Sequence, residues 1–213
     1  MKNLRIQKQK NKKIIYDIYN EETFLGFLPK KSLFFIVERY LFEKDVIEIS
    51  IDEEKYRELD KIIHKYLWNR FCDFLILREH SEWEAKEYLK RIHAPNNVIN
   101  KFIEIAINMN YLNEERFVDV FIRSKISKNK SKKEIKTSLF MRHVNPDLID
   151  KNLDFQYSVE DENAILNTNF DKALRKYNNF DDIRKRKEKI INFMMRKGFS
   201  YSKIRKLIES KIK

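Results

Sequence analysis

Seven residues of this chain are written twice, as RFCDFLI from Arg70 and as RFVDVFI from Arg116. Four identities recur in place: Arg70/Arg116, Phe71/Phe117, Asp73/Asp119 and Ile76/Ile122, while the other three positions exchange one apolar residue for another. Phe71, Phe74 and Leu75, like Phe117, Val120 and Phe121, stand at i, i+3 and i+4, the spacing of one apolar stripe on a helix. Arg and Asp, three apart, fall on the outer side, where an exposed pair contributes only about 0.2–0.5 kcal/mol. The phrase therefore reads as scaffolding, its Phe and Ile positions marking a core stripe used twice.

The phrase belongs to a longer repeat. A shift of fifty residues lays Ser81 on Ser131, Glu84 on Glu134, Leu89 on Leu139, His93 on His143, Val98 on Leu148 and Ile99 on Ile149. Ser with Glu three residues later is the spacing of a capping box, and Ser50 with Glu53 shows it too. Asn145 before Pro146 is another helix start, because proline at the first helical position gives up an N–H that has no partner there. The phrase itself recurs at an offset of forty-six, so the second copy has four extra residues before its Ser cap, in KISKNK. These read as a longer basic connection. MRKGFSYSKIRKLI resembles MRHVNPDLIDKNL, which traces a third, degraded copy with Ser200 as a cap.

Two glycines and three prolines leave little material for the turns of an all-β chain, whereas helix formers are plentiful. The expected fold is mainly α: an elongated tandem array of three-helix repeats in which each unit shares its apolar face with a neighbour. A small N-terminal extension precedes it. There KKIIYDIY and TFLGFLP form a hairpin around NEE, LRIQKQ supplies a third strand, a helix runs from about Lys31 to Tyr40, and VIEIS is a strand or a connection. The expected segments are an extension over 1–51 and repeats over 52–109, 110–157 and 158–213.

A net charge of +12 predicts attraction to polyanions, nucleic acid first. The charge is concentrated: residues 123–136 hold seven basic against one acidic residue, 184–213 hold twelve against two, and 1–13 hold six basic and none acidic, while 43–61 run the other way. RSKISKNKSKKEIK, from Arg123, is the most suggestive segment, since lysines there reach successive phosphates as point charges without sequence selectivity. One cysteine, Cys72, excludes a disulfide framework and reads as packing. His64, His80, His93 and His143 fall into no metal-binding spacing, and His93 and His143 sit at matching helix ends, where an imidazole donor suits free carbonyls. No phosphate-cradling glycine loop exists, so no cofactor or metal is expected. Carboxylates at 52–60 read as a solvated helix start rather than a magnesium-dependent nuclease site. No apolar run approaches a membrane span, and the expectation is a cytoplasmic protein without membrane contact.

ILREHSEWEAKEYL, then YLNEERFVDVFIRSK, then the capped basic helix ending in HVNPDLID, resembles the RecX family of bacterial regulators of the RecA recombinase. The strong match covers about residues 68–153, with MMRKGFS matching more loosely. Family members commonly carry glycines in the second repeat's connection and at the end of its second helix, where this chain has Asn129, Lys130 and Val144. The resemblance implies a monomeric, non-enzymatic modulator of recombination and DNA repair, expected to be inhibitory, that lies along the groove of the RecA filament on single- or double-stranded DNA. Contact candidates are Arg116, Arg123, Lys125, Lys128, Lys130, Lys132, Lys133, Lys136, Arg186, Lys187, Arg196 and Lys197. The alternative is a general nucleic-acid-binding protein of helix-turn-helix-like modules.

Overall fold

Alternation of apolar and polar residues dictates the start of the chain. In the computed structural model, which describes residues 1–10 and 14–212, the strands β1 (Lys2–Lys8), β2 (Ile15–Asn20), β3 (Thr23–Pro29) and β4 (Val46–Ile51) form an antiparallel sheet of order β3-β2-β1-β4. Lys12, Lys13 and Lys213, counted among the basic runs above, lie outside the described residues. Ile6 stands opposite Ile18 and Ile47, and Tyr16 opposite Leu28, so one face carries an apolar set that is almost wholly buried. The hairpin turns through Glu21 and Glu22, with Glu21 at φ 54°.

Between β3 and β4 the expected helix from Lys31 to Tyr40 is absent. Two short 3-10 turns, Lys30–Leu33 and Arg39–Glu43, replace it. The run Leu33 to Val37 is apolar throughout and has no polar face to give water, so no amphipathic helix suits it. Broken turns instead let Leu33, Val37 and Phe42 all reach the core, and Phe42 meets Tyr16 edge-on at 5.1 Å.

Nine helices follow among the described residues: α1 (Glu53–Ile76), α2 (Glu82–Arg91), α3 (Asn96–Asn108), α4 (Glu114–Ile126), α5 (Lys132–Phe140), α6 (Pro146–Gln156), α7 (Val159–Lys176), α8 (Ile183–Arg196) and α9 (Tyr201–Lys211). The chain forms two compact units, Met1–Leu112 and Asn113 onward, each with its own hydrophobic core. In the first, α1 lies against β3 at Gly26, where an added Cβ would stand 2.6 Å from Ile63 Cγ2 and the backbone has φ 141°. Phe71 of α1 stacks on Phe102 of α3, with Trp68 edge-on to the same ring. In the second, α4 to α9 share one core, so the third helix triplet has no core separate from the second. None of the helices among the described residues is long and apolar enough to cross a membrane.

The caps explain most helix starts. Ser81 and Ser131 accept from the amides of Glu84 and Glu134, and Asn145 caps α6 ahead of Pro146. Ser50 does not cap: it lies in β4, its hydroxyl donates to Asn3 Oδ1, and Asp52 caps α1 instead by accepting from the Lys55 amide. Ser158 with Asp161 makes a reciprocal box that the Glu/Gln pattern does not include. Ser200 stands at the start of α9 without a side-chain cap bond.

Five of the helix ends, those of α2, α3, α4, α5 and α8, share one device. His93, Asn110, Asn129, His143 and Gly198 all have positive φ. In each case the next residue's N–H returns to a carbonyl five residues back, as from Ala94 to Leu89, Val144 to Leu139 and Phe199 to Met194. The two histidines are thus backbone reversals before they are donors to free carbonyls. His143, not Val144, takes the left-handed conformation at the end of α5, and Asn129, not Lys130, takes it after α4.

The duplicated phrase is less symmetrical than its letters. Phe71 and Phe117 are both buried, but Ile76 is 81% exposed while Ile122 is fully buried. α1 stops at Ile76, whereas α4 runs one turn past Ile122, and both are followed by five residues ending in the Ser cap. The four extra residues therefore lengthen a helix and not the connection. The buried arc of α4 is Phe117, Val118 and Ile122, leaving Val120 40% exposed, because its neighbours in the core lie on that side. Arg70 and Asp73 do not pair: Arg70 turns to Tyr66 and Phe27.

Two stability measurements follow. Gly26→Val is expected to lower the urea midpoint by the equivalent of about 1–3 kcal/mol through overpacking, with more from the strained φ. His93→Gly, which relieves a left-handed β-carbon, is expected to raise stability by a few tenths to about 1 kcal/mol.

Candidate functional site

In the second unit, the Ser131 cap ties separated pieces of chain together. Its hydroxyl accepts from the Glu134 amide and donates to the carbonyl of Lys197, sixty-six residues away. Glu134 closes the box by accepting from the Ser131 amide at 3.1 Å, and its other oxygen meets Lys130 Nζ at 3.2 Å and Lys197 Nζ at 3.4 Å. Burial alone would raise this carboxyl, but the Ser131 N–H, Lys130 and Lys197 outweigh it and hold the group below its ordinary range. Asn169, buried on α7, donates to the Asn129 carbonyl at 3.0 Å and pins the α4–α5 turn from behind. Tyr157 reaches the Lys130 carbonyl, and its burial pushes the phenol up to about 12.

Around this knot lies a groove of about 270 Å³ lined by Lys125, Lys130, Lys133, Arg196 and Lys197, with Glu134 the one acidic lining residue. The last turn of α4, the first turn of α5 and the α8–α9 turn each contribute. Lys133 lays its stem across Gly198, whose Cβ, if present, would stand 2.5 Å from that of Lys133. The glycine is required twice, by φ 94° and by this approach. Lys125 Nζ sits 4.7 Å from the Phe121 ring centroid, which orients it along the groove.

The remaining candidates lie elsewhere. Lys132 and Lys136 run along another side of α5, where they pair with Asp154 at 2.7 Å and Asp150 at 2.8 Å on α6. The hydrogen bond and charge of Lys132 hold the Asp154 carboxyl below its usual range. Arg123 pairs with Asp119, the residue expected to face Arg116. Lys128 is exposed in the α4–α5 turn. Arg116, on the first turn of α4, lies nine residues or roughly 13 Å of helix from Lys125, and Arg186 and Lys187 lie roughly 15 Å along α8 from Arg196. Exposed ion pairs of this kind contribute about 0–1 kcal/mol, so they exchange partners easily.

The acidic residues that shape the surface, Asp150, Asp154 and Glu134, were not among the candidates, and neither was Asn169. Only Glu134 had a sequence signal, its place in the capping box. Among the described residues no group of three His, Cys, Asp or Glu side chains is placed to hold a metal ion. His80, in the first unit, is buried against Phe74 with ring centroids 3.8 Å apart, one ring nitrogen 3.0 Å from the Phe74 carbonyl. Cys72 is half-buried, and burial followed by the charge of Asp73 pushes its thiol up, away from the reactive thiolate.

Residues 160–208, which span nearly all of α7 to α9, match the family model described as RecX, third three-helix domain. The regulatory protein RecX of Clostridium acetobutylicum is 24% identical over 212 residues, covering 96% of this chain and 94% of its own. That of Listeria monocytogenes is 26% identical, covering 94% and 72%. Over nearly its whole length the chain is similar to proteins named regulatory protein RecX. Solved RecX structures share its fold: the crystal structure of a regulatory protein RecX superposes with a TM-score of 0.63 at 20% identity over 99% of both chains. RecX from Lactobacillus salivarius gives 0.56 at 20% identity, over 69% of this chain and 95% of the other. The relatives it matches are named as regulatory proteins, and the chain shares the mainly α fold of the solved RecX structures.

Ser131→Ala is expected to cost about 1–2 kcal/mol, at the upper end for a cap because the tie to Lys197 goes with it. The lowered Glu134 carboxyl fixes the sign of its pH dependence. Its contribution is complete above the ordinary carboxylate pKa, about 4.3, and fades as pH falls through the folded-state value. Glu134→Gln is therefore expected to be less stable than the parent at neutral pH, with the gap closing in acid, as read by urea unfolding across the pH range.

Proposed function

We propose that this chain is a RecX-family, non-enzymatic regulator of the RecA recombinase that docks along the groove of the RecA–DNA filament and slows it. The observation that carries this reading is the convergence of Lys125, Lys130, Lys133, Arg196 and Lys197 on one concave surface. Five cations facing one carboxylate suit a polyanion, or the acidic surface of a protein wound around one. Arg123, Lys128, Lys132 and Lys136 extend the positive surface on either side, and Arg116, Arg186 and Lys187 are outlying contacts. The acidic partners of these cations do not oppose docking: each exposed pair is weak enough for a phosphate to displace its carboxylate.

In this reading the chain divides into an extension over 1–51 and three-helix repeats over 52–109, 110–157 and 158–213. It acts as a cytoplasmic monomer and uses no cofactor. Added protein is expected to slow RecA-promoted strand exchange and DNA-dependent ATP hydrolysis at modest salt. The double variant Lys133→Glu, Arg196→Glu is expected to need several-fold more protein for the same effect while keeping its helix content. No effect of the parent protein on either reaction would sink the proposal. Equal binding to random duplex with and without RecA, in a mobility-shift assay, would favour a general nucleic-acid-binding protein.

A further inference from the structure

The sheet of the first unit has a second face that its hydrophobic core does not fill. Register places Arg5 opposite Tyr19, Gln7 opposite Asp17, Asp17 opposite Phe27 and Tyr19 opposite Phe24, so these side chains share that face. Tyr19 and Phe24 are neighbours with ring centroids 5.3 Å apart and planes inclined by 54°, and the Arg5 guanidinium lies 4.7 Å from the Tyr19 ring. The end of α1 and the α2–α3 turn rise beside this face and enclose a cleft of about 1010 Å³. Lys8, Lys10, Arg70, Lys90 and Arg91 line it, against one carboxylate, Asp17, which already accepts from Gln9 Nε2 at 2.6 Å.

Arg70 is the informative residue. Its Nε is buried and has no hydrogen-bond partner, while its Nη1 meets Tyr66 Oη at 3.5 Å and the guanidinium lies 5.9 Å from the Phe27 ring centroid. A guanidinium has five donors, and one lining a cleft with a donor left unpartnered suits an anion. Aromatic rings beside it add a surface that a simple anion does not need. Rings and cations along one groove are the combination that takes stacked bases on a phosphate backbone. A duplex keeps its base faces covered, so the groove favours a single strand.

We infer that this cleft binds single-stranded nucleic acid, with a base laid on the Tyr19–Phe24 ledge and backbone phosphates met by Lys8, Lys10, Arg70 and Arg91. The site is made wholly from the first unit and stands independently of the groove in the second. It recognises bases as flat surfaces, so it discriminates strand state more than sequence.

The test uses the full chain carrying Lys133→Glu and Arg196→Glu, which weakens the second unit's groove. Fluorescence anisotropy compares a labelled oligothymidylate with an abasic backbone of equal length. Thymidylate is expected to bind more tightly. Tyr19→Ala should weaken it roughly tenfold, within the range for loss of one stacking contact, and leave the abasic strand unchanged. Arg91→Glu, at an exposed position, should weaken both while leaving the helix content unchanged. Ultraviolet cross-linking should place adducts on the peptide carrying Tyr19 and Phe24. Equal affinity for the two strands, full binding by both variants, or adducts confined to residues beyond Asn113 would each overturn the assignment. Displacement by polyglutamate as effective as by unlabelled oligothymidylate would overturn it in favour of an acidic polypeptide. None of these readouts involves RecA, so failure here leaves the regulatory reading to its own experiment.

Discussion

A left-handed residue at the end of a helix, followed by an apolar side chain folded back on the helix's last turn, is the constraint on which the helical part of this protein depends. A three-helix unit needs two sharp reversals, and each must satisfy carbonyls that the helix leaves free. His93 with Ala94, His143 with Val144, and Gly198 with Phe199 do both at once. In all three the apolar residue is buried, so the reversal is fastened to the core that it helps to build. Without that fastening the left-handed histidines would be a net cost.

Placing many lysines on a small surface brings repulsion, and the protein manages it locally. Glu134 serves a helix cap and two ammonium groups simultaneously, which is why its carboxyl is held low despite partial burial. Asp150 and Asp154 each pair with one lysine, Lys136 and Lys132, at exposed positions. The two arrangements differ in consequence. Exposed pairs are exchangeable, so the positive charge stays available to a partner. Glu134 is bound into the backbone network as well, through the Ser131 amide.

The two basic surfaces follow different designs. In the second unit the cations surround a structural knot and the aromatic Phe121 serves to orient Lys125. In the first unit aromatic rings form the wall and cations stand along the rim. The first arrangement suits charge alone, and the second suits charge together with flat apolar surface.

Local signals were legible wherever they act locally. Ser81, Ser131 and Asn145–Pro146 cap the helices their spacing predicts, the hairpin and the strand in LRIQKQ form, and the resemblance in LREHS and YLNEERF pointed to the proteins that the chain matches. Ser50 failed because the same spacing arises where a strand ends just before a helix, and Asp52 is nearer the first free amides. The Lys31 to Tyr40 segment failed because five consecutive apolar residues obey the core rather than a helical period. Ile76 and Ile122 are the same letter in the same phrase, yet one is exposed and one buried, since α4 continues where α1 stops. The sequence by itself determined the helix starts, the repeat and the sign of the charge, because these depend on neighbours within a few residues. Only the tertiary structure decided which five cations share a groove, and that Arg70 opens into an aromatic cleft. Those juxtapositions join segments up to about seventy residues apart, and no local periodicity records them.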